Sequence, residues 1–80
     1  MRLDKFLKVS RVIKRRTVAN EACDSGRVII NGKVAKASTE VKLGDIVEIK
    51  YGEKIIKFEI KNIVATVGKD GASEMIEMLS

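Results

Sequence analysis

Leu3, Phe6, Leu7 and Ser10 recur at the i, i+3, i+4, i+7 spacing of one helix face, while Arg2, Lys5 and Lys8 fall off that face. The pattern predicts a short amphipathic helix with a cationic outside. A second helix is predicted from about Arg15 to Ser25, with Val18, Ala19, Ala22 and Cys23 on its inward stripe and Gly26 as a left-handed stop. The run Lys14-Arg15-Arg16 sets three consecutive cations at the start of that helix. Uncapped backbone N–H groups and the macrodipole attract anions at such a place, so cations there are unfavourable for the helix by itself.

After Gly26 the period changes from helical to extended. Arg27-Val28-Ile29-Ile30 and Lys33-Val34-Ala35 flank Asn31-Gly32, the pair that a type I′ hairpin turn demands because both central residues need positive φ. Val41 to Asp45 reads as a bend into a strand, Ile46 to Tyr51, where Val47, Ile49 and Tyr51 alternate with Glu48 and Lys50. Gly52-Glu53 turns the chain into the clearest strand, Lys54 to Ile63, with Ile56, Phe58 and Ile60 on one side. The pattern fades from Val64 to Gly71, and Val67 to Gly71 is expected to be a flexible link. Ala72, Met75, Ile76 and Leu79 recover helical spacing, which predicts a short C-terminal helix over about residues 71–80. The fold class is therefore α+β, in the order ααββββ, with two N-terminal helices packed on a small, mostly antiparallel sheet. Val28, Ile30, Val47, Ile49, Phe58 and Ile60 are expected to share one core with Leu3, Phe6, Leu7, Val18 and Ala22.

Eighty residues make a single domain over residues 1–80, since a chain of this length buries only about 60% of its unfolded surface. No apolar stretch approaches the ~20 residues of a membrane span, and the N-terminus has no unbroken apolar run of the secretory kind. A cytoplasmic protein with no membrane partner is expected. The net charge of +5 is unevenly placed. Residues 1–36 carry ten Lys or Arg against three acids, a net +7, and residues 37–80 carry six Lys against eight acids, a net −2. Such asymmetry points to a polyanion, because neutralising phosphates releases condensed counterions.

Chemistry of other kinds has little support. The chain has no histidine to act as a base near neutral pH, and Asp45, Glu48, Glu53 and Glu59 fall at turns or outward strand positions where solvated charge is the plainer reading. Cys23 sits on the inward stripe as a small core thiol, and one cysteine without histidine supplies neither a disulfide nor a zinc site. Neither an enzyme nor a cofactor is expected. Arg2, Lys5 and Lys8 on the first helix, Lys14, Arg15 and Arg16 at the entry to the second, and Arg27, Lys33 and Lys36 around the hairpin form one basic face if the helices pack side by side. Phe6 and Phe58 lie on core stripes and Tyr51 at a strand end, so no stacking platform for single strands is expected. Folded RNA, read by backbone and shape, is the better target.

Four pieces, Arg2-Leu3-Asp4, Arg16-Thr17-Val18-Ala19, Gly26 to Lys33 and Lys42-Leu43-Gly44-Asp45, resemble in order and spacing the S-four (alpha-L) RNA-binding domain, with the motif core at about residues 1–50. Lys5 to Arg11 and Lys14 to Thr17 further resemble the short, stand-alone, ribosome-associated branch of that superfamily, relatives of heat-shock protein fifteen. The resemblance implies a monomeric factor that binds ribosomal RNA and tRNA on a large ribosomal subunit blocked by peptidyl-tRNA, beside an RqcH-type elongation factor that tails the stalled chain with alanine. It implies Arg2 and Arg16 as RNA-binding arginines and Asp4 as the motif aspartate. Many members have Ser or Thr where Arg15 stands and Pro where Leu43 stands. A heat-shock-fifteen-like recycling factor, a detached accessory domain of an RNA-modifying enzyme such as a pseudouridine synthase, and a structural ribosomal protein are the other readings.

A basic face of this kind makes binding to folded RNA electrostatic. The logarithm of affinity should fall steeply against the logarithm of salt concentration, by about 0.9 per phosphate neutralised on a duplex. A filter-binding titration across salt that gave a flat line would remove the basic face from the binding surface.

Overall fold

Helix α1 (Leu3–Val9) begins without a capping side chain, since Arg2 at its N-cap has no acceptor to offer. Its first N–H groups are satisfied from across the chain instead. Leu3 N–H donates to the Thr39 carbonyl at 2.7 Å and Asp4 N–H to that of Ala37 at 3.2 Å, while Val41 N–H donates to the Met1 carbonyl at 3.0 Å. An isolated bridge between Arg2 and Glu40 completes this short antiparallel contact, which fixes the backbone of Arg2 and Asp4. Helix α2 (Arg16–Asp24) starts one residue later than expected, with Arg15 extended at its N-cap, and Gly26 takes φ +82° just beyond its end.

The computed structural model describes residues 1–64, 71 and 74–79. Five strands, β1 (Val28–Ile30), β2 (Lys33–Val34), β3 (Ile46–Tyr51), β4 (Lys54–Ile60) and β5 (Ile76–Met78), form one sheet in the order β2-β1-β3-β4-β5, with every pairing antiparallel. Val28 lies opposite Ile49, and Val47 lies opposite both Ile30 and Phe58, so these side chains share one sheet face. That face packs on α1 and α2: Leu3, Phe6, Leu7, Ala19, Ala22 and Cys23 are buried in one cluster with Val28, Val47, Ile49, Phe58 and Ile60. The expected α+β architecture of two helices on an antiparallel sheet is present.

Asn31-Gly32 forms the β1–β2 turn, with φ of +51° and +83° as a type I′ geometry requires. The Asn31 side chain does more than tolerate the turn. Its Nδ2 donates to Asp45 Oδ1 at 3.1 Å and its Oδ1 accepts the Ile46 N–H at 2.9 Å, while Asp45 Oδ2 accepts the Lys42 N–H at 2.9 Å. The hairpin tip is thus tied to the bend that launches β3.

Two expectations are corrected. The C-terminal segment is not a helix over 71–80: Gly71 is helical and Ala72 lies outside the described residues, but Ile76–Met78 is a strand. The apolar positions Ile76 and Met78 also fit an alternation of two, and a single helical turn or two could not satisfy the free edge of β4. As a strand the segment places Ile76 opposite Ile60 and Met78 opposite Phe58, and the Met75 carbonyl accepts the N–H groups of Lys61 and Asn62. The expected link over Val67–Gly71 lies, Gly71 apart, outside the described residues. Val18 is the second correction, because it is 44% exposed. Ala19, Ala22 and Cys23 already fill the narrow contact stripe of α2, and Val18 turns past its edge.

Phe58 is fully buried at the centre of the helix-facing side. Phe58→Ala should cost about 3–5 kcal/mol, a large share of the stability of a domain this small. Urea unfolding followed by circular dichroism measures it, and an unchanged midpoint would place Phe58 outside the core.

Candidate nucleic-acid interface

Asp4 is the one charged residue buried among the described residues, with its side chain 3% exposed. It is held there because α1 turns its first-turn carboxylate toward α2. Oδ1 accepts the Lys5 N–H at 2.8 Å, and Oδ2 accepts from Asn20 Nδ2 at 3.2 Å. Two guanidinium groups close over the same carboxylate: Arg2 Nε lies 3.3 Å from Oδ1 and Arg16 Nε 3.5 Å from Oδ2. Burial pushes the Asp4 carboxyl up, but the Asn20 and Lys5 hydrogen bonds and the charges of Arg16 and Arg2 outweigh it, leaving the group below the usual carboxylate range.

The arginines are only half covered, at 52% for the Arg2 side chain and 51% for Arg16. Ion pairs at 3.3–3.5 Å with half-exposed partners contribute little to stability, but they fix direction. Each guanidinium turns its Nε inward to Asp4, and Arg16 has its two terminal nitrogens free of any partner among the described residues. A planar fork held in this way suits bidentate contact with phosphate oxygens. Beside it Asp4, Arg16, Thr17, Asn20 and Glu21 line an open depression of about 340 Å³.

Of the ten residues expected at the interface, Arg2, Asp4 and Arg16 are brought into contact. Lys8, Lys14, Arg15, Arg27, Lys33 and Lys36 are exposed and Lys5 half-buried, and none has a carboxylate partner among the described residues. Lys33 faces the helix side of the sheet, since it pairs with Ile30 and Ile30 with Val47. Arg27 stands on the wall of a second depression with Val18 and Tyr51. In the other half of the chain, Lys61 is clamped by Glu59 at 3.1 Å and Glu77 at 3.2 Å, and Lys57 pairs with Glu48. Among the described residues, cations without a carboxylate partner are thus more numerous in the N-terminal half. Cys23 is a core thiol, its pKa pushed up to about 11 by burial first and by Asp4 and Asp24 after it.

Asn20 was not legible as a site residue. Its one sequence signal is its place four residues after Arg16, one turn along α2, on the same helix face.

Residues 1–47 match the family model of the S4 domain. The chain is 56% identical over 78 residues to the RQC P-site tRNA stabilizing factor of Halalkalibacterium halodurans, which covers 98% of this chain and 89% of that protein. It is 49% identical over 79 residues to the protein of the same name in Bacillus subtilis, covering 99% of this chain and 92% of the relative. Among solved structures, heat shock protein 15 of Vibrio cholerae, described as trimeric, superposes with a TM-score of 0.90 at 28% identity over 100% of this chain and 82% of that one.

Asp4 is more acidic in the folded chain than the ordinary carboxyl value of 3.8, so its ionised form favours folding. That stabilisation is fully present above about pH 4 and is lost as the pH falls through the depressed folded value. Asp4→Asn should therefore be about 1–2 kcal/mol less stable than the parent near neutral pH, with the gap closing on acidification. Thermal melts from pH 7 to pH 2 test this; a gap that stayed constant would separate Asp4 from the acid limb.

Proposed function

The chain belongs to the S4 domain family and, within it, to the group that carries the name RQC P-site tRNA stabilizing factor (RqcP), and on that premise we propose that it binds RNA in ribosome-associated quality control. In this reading it engages ribosomal RNA and tRNA on large ribosomal subunits still carrying peptidyl-tRNA. There it holds the tRNA in place while an RqcH-type elongation factor adds alanine to the stalled chain. It acts as a monomer and by binding alone, with no catalytic step of its own.

The observation that carries the reading is the Arg2–Asp4–Arg16 cluster. A carboxylate anchored by Asn20 holds Arg2, before α1, through Nε and a terminal nitrogen, and Arg16, on α2, through Nε alone, so two half-exposed guanidinium groups stand side by side at the surface. Paired guanidinium groups at a fixed separation suit the phosphates of a folded RNA backbone better than a flexible ligand, because their geometry is set before binding. Lys5, Lys8, Lys14, Arg15, Arg27, Lys33 and Lys36 surround them with charge that adds affinity and salt dependence without selecting a particular base.

A second reading, a subunit-recycling factor like heat shock protein 15, is favoured by the shared fold at a TM-score of 0.90. The two differ in outcome: a tailing factor changes the alanine content of stalled chains in cells, and a recycling factor does not.

Arg2→Ala and Arg16→Ala should each weaken co-sedimentation with large subunits carrying peptidyl-tRNA by about 10- to 100-fold, the loss of one charge-assisted phosphate contact. Arg16→Lys should restore only part of it. Both alanine variants should keep their melting temperature within a few degrees and lower alanine tailing in cells. Lys54→Ala, exposed in the less basic half and unpaired among the described residues, is the charge-matched control; Lys61 would not serve, being tied to two glutamates. Equal losses from Arg16→Ala and Lys54→Ala would reduce the site to net charge.

A further inference from the structure

Tyr51 is the one aromatic side chain not buried in the core, and it ends β3 at 38% exposure. It does not stand in open solvent. With Val18, Glu21, Ala22, Ser25 and Arg27 it lines a depression of about 260 Å³, between α2, the residue that precedes β1 and the end of β3. Val18, the residue that α2 withholds from the core, adds an exposed apolar side chain to its lining, and Ala22 a buried one.

The depression adjoins the arginine cluster. Glu21 lines both this depression and the one formed by Asp4, Arg16, Thr17 and Asn20, so the two lie side by side along α2. An RNA backbone gripped by Arg16 would therefore pass within reach of Tyr51. The chemistry of the second depression differs from that of the first. With Glu21 common to both, the difference lies in an aromatic ring and two aliphatic side chains, which give a phosphate no hydrogen bond in place of its water. The same groups suit a nucleobase. A base offers a π-face to Tyr51 and Val18, its amino edge can donate to a glutamate, and the Arg27 guanidinium can take the flanking phosphate or the base face. The volume is below the 300–1,000 Å³ usual for pockets that enclose a drug-sized ligand, which suits one ring system rather than a whole nucleoside.

We infer that the Tyr51–Val18–Glu21–Arg27 depression is a binding site for a single unpaired base turned out of a folded RNA whose backbone is held by Arg2 and Arg16. The inference rests on the RNA-binding reading above and adds to it a base-reading element. Recognition then has two parts, a phosphate grip by the arginine cluster and a one-base pocket one helix turn away. RNA with a bulged or extruded base beside a helix is selected over continuous duplex.

The test uses the full chain with two RNA stem-loops of the same sequence, one fully paired and one carrying a single bulged 2-aminopurine, a fluorescent adenine analogue. The parent protein should bind the bulged RNA about tenfold more tightly than the paired one, as one stacked base contributes, and should quench the probe's fluorescence. Tyr51→Ala should abolish both the preference and the quenching while leaving affinity for the paired RNA and the melting temperature unchanged. Tyr51→Phe should retain both. Glu21→Gln should lower the ratio of the two affinities. Arg16→Ala should weaken both RNAs by the same factor and leave their ratio near ten. Equal affinity of the parent protein for the two RNAs, or a preference that survives Tyr51→Ala, would overturn the base pocket while leaving the phosphate grip standing. No salt-dependent binding of either RNA would overturn the RNA-binding reading itself.

Discussion

A carboxylate cannot be removed from water without partners, and the ionised Asp4 side chain, almost wholly buried, constrains the rest of this molecule. It lies on α1, but its principal side-chain donor, Asn20, and one of its two cations, Arg16, lie on α2. Satisfying that one charge requires the first turn of α1 to meet the first half of α2 in a single register. The apolar stripes make the helices pack; Asp4 selects how they align, because an alignment that left it unpaired would forfeit its hydrogen bonds inside the protein. The same contacts that satisfy Asp4 orient Arg2 and Arg16, so the helix pairing and the functional surface have one origin.

The remainder of the fold supports that arrangement from below. The segment 37–41 lends its carbonyls to the uncapped start of α1, and Asp24, at the end of α2, accepts the Ala37 N–H at 3.2 Å. Both helices are thereby referenced to one loop. That loop is placed in turn by the hairpin before it and by the Asn31–Asp45 contact, which ties the hairpin tip to the start of β3. Rigid elements carry the arginines, and a site held this way loses little conformational freedom when it binds.

Much of this was legible in the chain, for reasons that differ by element. Leu3, Phe6 and Leu7, and Val47, Ile49, Phe58 and Ile60, announce their faces because a small core leaves little freedom to a repeating stripe. Asn31-Gly32 announces its turn because few other pairs accept two positive φ values. Arg2 and Arg16 fall on the basic face by position, while Asp4 and the motif role of the two arginines come from a resemblance; their mutual contact cannot be read from spacing, since it joins the start of α1 to α2. Asn20 was missed for the same reason: an amide in a polar helix face has no pattern that reveals a partner sixteen residues away. The C-terminal strand was misread because Met75, Ile76 and Leu79 satisfy a helical spacing as well as Ile76 and Met78 satisfy an extended one. The exposed edge of β4, a tertiary feature, decides between them. Ile13, Ala35, Ala37 and Val41 joined the core from irregular segments that have no period to read.

If Asp4 makes one binding unit of Arg2 and Arg16, the two arginines should not act independently. A double-mutant cycle measures this directly: affinity for large subunits carrying peptidyl-tRNA is determined for Arg2→Ala, Arg16→Ala and the double variant, each in the parent and in an Asp4→Asn background. The structure predicts a coupling of about 1 kcal/mol or more between the arginines in the parent, falling toward zero once the carboxylate is neutralised. Strictly additive losses in the parent, or a coupling unchanged by Asp4→Asn, would contradict it and leave the two arginines as separate surface charges.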